Sequence, residues 1–165
     1  NDVIANPALL NEYHGLVACG GFSYGDVLGA GRGWANKIKY NHDALNSLSK
    51  FFSDKNKFTL GVCNGCQMLS NLQSIIPGSE HWPKFIKNNS NQFEARQVLV
   101  KIPKSNSILF KDMHKSILPI IVSHGEGKIS IKNKSSIKKA IMQYVDTTGK
   151  YTCLLYTSPS PRDNR

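Results

Sequence analysis

At 165 residues, with 40% hydrophobic and 9% aromatic content, the chain can bury one ordinary core and is too apolar for a disordered polypeptide. It has no apolar run long enough to span a bilayer and no charged-then-apolar leader, so no membrane partner and no secretory route are expected. A formal charge of +10 raises the question of nucleic acid, but the lysines are scattered until Lys128, Lys132, Lys134, Lys138 and Lys139. Arginine is scarce and no nucleic-acid motif appears, so a solvated face, or one docked on an acidic domain, is expected instead. Four cysteines do not make a disulfide framework, and a reactive thiol suits a reducing, cytoplasmic setting.

Residues 1–12 read as a partly helical lead-in. The apolar run 15–19, with glycine on both sides, has the pattern of a buried parallel strand, and Cys19 in it reads as a small packed hydrophobe. It empties into Gly20-Gly21-Phe22-Ser23-Tyr24-Gly25-Asp26, a loop whose glycines let backbone N–H groups face a ligand. Gly29-Ala30-Gly31-Arg32-Gly33 continues that loop, and its spacing fails the dinucleotide fingerprint. From Trp34 to about Ser53, apolar residues recur at three- and four-residue steps, which predicts one amphipathic helix.

The stretch with chemistry in it is Phe58-Thr59-Leu60-Gly61-Val62-Cys63-Asn64-Gly65-Cys66-Gln67. A β-prone run meets a cysteine flanked two residues away by glycines, and a helix-compatible run to about residue 75 follows. This is the pattern of a nucleophile elbow. A thiol so placed faces the first N–H groups of the helix, which favour its ionised form. Cys63 and Cys66 also spell C-x-x-C, so a redox pair and a buried structural cysteine stand as alternatives. A zinc site would need a second close pair of ligands, which Cys19 and Cys153 do not supply. No metal is expected.

Further along, Gln92 to Ile102 reads as a strand, with Glu94 and Arg96 on one face, where they could bind substrate but more commonly form a structural ion pair. Residues 118–122 read as a buried strand delivering Ser123-His124-Gly125-Glu126-Gly127 to the sheet's end, where open α/β folds bind ligands. His124 beside Glu126 superficially offers a base and its orienting carboxylate. Residues 140–150 read as a strand and turn.

Gly61-Val62-Cys63-Asn64-Gly65-Cys66-Gln67 resembles the G-x-C-x-G-x-Q motif of class I glutamine amidotransferases. The block from Cys19 to Gly31 is similar to the glutaminase domain of phosphoribosylformylglycinamidine synthase, as are Pro77-Gly78-Ser79-Glu80-His81-Trp82-Pro83, Asn91-Gln92-Phe93-Glu94-Ala95-Arg96 and the block at His124. The resemblance implies an α/β fold, a mainly parallel sheet with helices on both faces, here incomplete. It implies Cys63 as nucleophile, the N–H groups of Gly21 and Asn64 as oxyanion donors, and Gln67, Ser123, His124 and Gly125 around the glutamine substrate. In that family the base and its carboxylate come from a Pro-His-Pro-Glu-Arg-type segment. The sequence contains none, so this piece alone is expected to be inactive, and His124 is expected to line the pocket. The resemblance further implies ammonia passing to a synthetase domain of the same parent chain. ATP and Mg2+ would serve that domain, with no cofactor in this one. An acidic residue is expected where Arg32 stands. Residues 1–151 are expected to be a partial amidotransferase domain lacking its first strand and helix, and 152–165 a non-native or disordered tail. A non-catalytic glutamine-binding or docking module is the alternative of a different class.

Overall fold

The computed structural model describes residues 2–21, 29–130 and 141–152. In chain order these form α1 (Asp2–Ala5), a 3-10 turn (Pro7–Glu12), β1 (Gly15–Ala18), α2 (Arg32–Lys39), α3 (His42–Ser53), β2 (Phe58–Gly61) and α4 (Asn64–Asn71). A 3-10 turn (Gln73–Ile75), β3 (Lys84–Ile86), β4 (Glu94–Lys101), another 3-10 turn (Ile108–Phe110), β5 (Ile117–His124), β6 (Lys128–Ser130) and β7 (Gln143–Val145) follow. The chain divides into two compact units, Asn1–Asn91 with Glu126–Asn133, and Gln92–Gly125 with Lys134–Arg165.

In the first unit, β1 and β2 pair in parallel, from Gly15 opposite Phe58 to Ala18 opposite Gly61. The helices close on this pair around Leu10, Ala18, Ala35, Ile38, Leu48, Phe51, Met68, Leu69 and Leu72. β3 and β6 pair antiparallel at the side of α4, where Ser70 Oγ donates to Pro83 O and Lys84 Nζ donates to Ser70 O at 2.9 Å. In the second unit, β4 lies between β5 and β7, antiparallel to both. Its buried side is Val98 and Val100, joined by Ile102, Val122 and Val145. The α/β class is as expected, and its parallel pairing is the one that leads into the elbow.

The expected single helix over 34–53 is two. Tyr40 still donates its N–H to Asn36 O at 2.9 Å and Asn41 donates its own to Ile38 O at 3.1 Å, but Asn41 turns extended, at φ −110° and ψ 105°. Its side-chain oxygen accepts the N–H of Ala44 at 2.9 Å and starts α3. Asparagine competes with the helix for its own backbone and gains most as a cap, so the chain breaks there although the apolar spacing runs on. The helix after Cys63 likewise stops at Asn71, short of the expected residue 75, and passes through the 3-10 turn before Pro77. β5 extends one residue earlier and two later than residues 118–122, reaching His124.

Phe22 to Leu28, Lys132, Lys134, Lys138, Lys139 and the chain beyond Thr152 lie outside the described residues. Thr152 itself donates its N–H to Tyr144 O at 3.0 Å. No described helix is long and apolar enough to cross a membrane.

Asn41→Ala removes the α3 cap and is expected to lower stability by about 1 kcal/mol in chemical denaturation, with Asn41→Asp retaining most of it.

Candidate active site

The turn out of β2 is made by backbone contacts. Val62 donates its N–H to Ala18 O at 2.9 Å, Gly65 donates to Val62 O at 2.9 Å, and Gln67 donates to Cys63 O at 3.1 Å. Strand therefore becomes helix within two residues. Cys63 sits at the bend with φ 52° and ψ −115°, a backbone state that L residues rarely adopt. Holding a non-glycine residue there costs on the order of 1–3 kcal/mol and persists only where the surroundings over-determine it. Gly65 shows what does so. A Cβ on it would stand 2.0 Å from Ala18 O, so the first turn of α4 lies directly on the end of β1.

The Cys63 thiol is exposed. Gly20 lies against it: a Cβ there would be 3.0 Å from the Cys63 Cβ and 3.8 Å from its Sγ. Gly21 follows at φ 118°, with no atom of the described residues within 4 Å of where a Cβ would project. Asn64, buried, opens α4 directly after the sulfur. Gln67 stands one turn on, its Nε2 donating to Glu126 O at 2.8 Å. Cys63, Gly20, Gly21, Asn64 and Gln67 thus converge at one end of the β1–β2 pair.

Cys66 is half-buried, and burial, followed by the charge of Cys63, pushes its thiol above the usual range. It is the less accessible thiol of the two. Cys19 is exposed, which corrects the expectation of a packed residue; β1 ends at Ala18, and Ala18 takes the buried place. Among the described residues no cluster of His, Cys, Asp and Glu could hold a metal ion.

Ser123, His124 and Gly125 belong to the second unit. Ser123 lies opposite Ala95 and His124 opposite Glu94 in the β4–β5 register, with Gly125 next in the chain. Burial lowers the His124 imidazole below the usual histidine range; Glu94 and a backbone hydrogen bond oppose this, and Arg96 adds to it. Glu94 and Arg96 form the expected ion pair. Glu94, opposite His124 in the β4–β5 register, is thus one carboxylate acting on it.

Residues 1–160 match the family of CobB/CobQ-like glutamine amidotransferase domains. The chain belongs to that family. A solved structure described as PurLQS from Thermotoga maritima shares the fold of this amidotransferase domain, at a TM-score of 0.63 and 22% identity. The likeness covers 82% of this chain and 57% of that one, so the domain spans little more than half the length of that neighbour.

For an amidotransferase domain, the arrangement offers an accessible thiol beside glycine backbone and at the start of a helix, where a developing oxyanion is best stabilised. The residue that sequence reasoning missed is Glu126. Read only as a neighbour of His124, it instead accepts the N–H groups of Gly29 and Ala30. The available signal was the turn at residues 29–31, whose amides need an acceptor ahead of α2.

Gly65→Ala forces a Cβ into the Ala18 carbonyl and is expected to cost about 1–3 kcal/mol in denaturant titration. For His124, the unfolded chain binds a proton at a higher pH than the folded one does. Stability of the second unit is thus complete above about pH 6.5 and falls as pH drops below it. His124→Gln is expected to flatten that part of the pH–stability curve, measured by thermal unfolding between pH 4 and 8, a range set by roughly the carboxylate and histidine values.

Proposed function

We propose that this domain is the glutamine-hydrolysing part of an enzyme that feeds ammonia to an ATP-dependent synthetase. That synthetase would convert formylglycinamide ribonucleotide to its amidine in purine synthesis. The single observation that carries the reading is Cys63 held exposed at φ 52°, against Gly20 and at the head of α4. Support for the particular synthetase comes from the motif blocks along the chain and from the fold likeness to the Thermotoga structure described as PurLQS.

The Cys63 thiolate attacks the carboxamide carbon of glutamine, and the carbonyl electrons move onto oxygen. The N–H groups of Gly21 and Asn64 receive that oxyanion. Its collapse breaks the C–N bond; with a proton from a general acid, ammonia leaves and a thioester remains. Water then releases glutamate and restores the thiolate. Gln67, Ser123, His124 and Gly125 hold the substrate in this reading. The general base is assigned to no residue of this sequence. ATP and Mg2+ belong to the synthetase part of the parent chain, and the assembly works in the cytoplasm. The burial of Cys66 weighs against a Cys63–Cys66 redox pair.

A chloromethyl ketone analogue of glutamine tests the reading. The Cys63 sulfur is expected to displace its chloride at least about tenfold faster than the exposed Cys19, with glutamine protecting and Cys63→Ala abolishing the adduct. Peptide mass mapping reads both sites. Labelling of Cys63 no faster than of Cys19 sinks the proposal.

A further inference from the structure

Three strands of chain meet at Glu126. Its Oε2 accepts the N–H of Ala30 at 2.7 Å and of Gly29 at 2.9 Å, and its Oε1 accepts Gly29 again at 3.1 Å. Its main-chain oxygen accepts Gln67 Nε2 at 2.8 Å. The next residue is anchored in turn, with Gly127 N–H donating to Oδ1 of the buried Asn88 at 2.9 Å.

The amides that Glu126 gathers belong to a turn that would not keep its shape unaided. Ala30 has φ 46° and Gly31 has φ 75°, the consecutive left-handed pair of a tight turn closed by Arg32 N–H donating to Gly29 O at 3.0 Å. Ala30 has a Cβ and pays for that conformation, so something must hold it. The same turn rests on the nucleophile helix: a Cβ on Gly31 would be 2.4 Å from the Met68 nitrogen, and Asn71 Nδ2 donates to Ala30 O at 2.8 Å. Residues 29–31 are thus referenced to α4, just as Gly20 is referenced to Cys63.

We propose that Glu126 is a positioning residue for the hydrolysis, clamping the Gly29–Ala30 turn with its carboxylate and Gln67 with its carbonyl, so that residues 29–31 and the pocket glutamine keep one geometry on the helix that starts at Cys63. This rests on the amidotransferase reading. The carboxylate is a structural anion that satisfies the amides of Gly29 and Ala30. Its effect reaches the reacting atoms only through the groups it holds.

The test uses the full chain and the same chloromethyl ketone, in which a C–S bond forms at Cys63 and chloride leaves. Saturation kinetics separate the binding constant from the limiting rate, and iodoacetamide reports simple exposure of the thiol. Glu126→Gln puts an NH2 where one amide needs an acceptor. The limiting rate is expected to fall about tenfold, corresponding to one lost charge-assisted hydrogen bond, while the iodoacetamide rate stays within about twofold. Glu126→Asp is expected to recover part of the loss. Equal limiting rates for Glu126→Gln and the unchanged chain, or iodoacetamide and analogue rates falling together, overturn the positioning role. Should Glu126→Gln fail to fold, Asn71→Ala carries the test, since it cuts the other tie on Ala30. A severalfold fall in the limiting rate supports the proposal, and an unchanged rate overturns it. If the unchanged chain itself shows no preference for Cys63 over Cys19, the amidotransferase reading fails first and this role falls with it. A loss confined to the variants speaks to the clamp on the Gly29–Ala30 turn and leaves the amidotransferase reading standing.

Discussion

The rest of the site depends on a backbone-to-backbone contact between the first turn of α4 and the last residue of β1. The Ala18 carbonyl that would collide with a Cβ on Gly65 also accepts the Val62 N–H. One oxygen therefore both pairs the strand and sets how closely the helix may approach. With that distance fixed, the two residues between Gly61 and Asn64 have little freedom, and Cys63 is driven into its unusual backbone state.

A second set of contacts comes from distant chain. Gly20 closes on the sulfur from the end of β1, residues 29–31 lean on α4, and Glu126 binds that turn across 97 residues of sequence. The start of β3 is tied to the same helix through Ser70 and Lys84. α4 is only eight residues long and carries few helical hydrogen bonds of its own, so packing and these side-chain ties hold it in place.

The elbow was legible in the sequence because its determinants are local. Two glycines at fixed offsets from a cysteine, between a β-prone run and a helical one, leave few other conformations. The ion pair of Glu94 and Arg96 was legible for the same reason, being two residues apart on one strand. Asn41 was not, because the apolar periodicity continues through it and conceals a cap that wins locally. Cys19 misled by composition: an apolar run predicts burial, but the strand ends one residue earlier. Glu126 could not be read at all from its neighbours, since its partners lie nearly a hundred residues upstream. The adjacent His124 invited a pairing, while the charge facing that imidazole comes from across the sheet.

The backbone of Cys63 sets two demands against each other. Glycine alone among the amino acids would rest there without strain, and glycine has no sulfur. Selection for a sturdier protein and selection for a reactive one therefore pull this codon in opposite directions. Replacing Cys63 by glycine would relax the backbone and remove the sulfur in the same step.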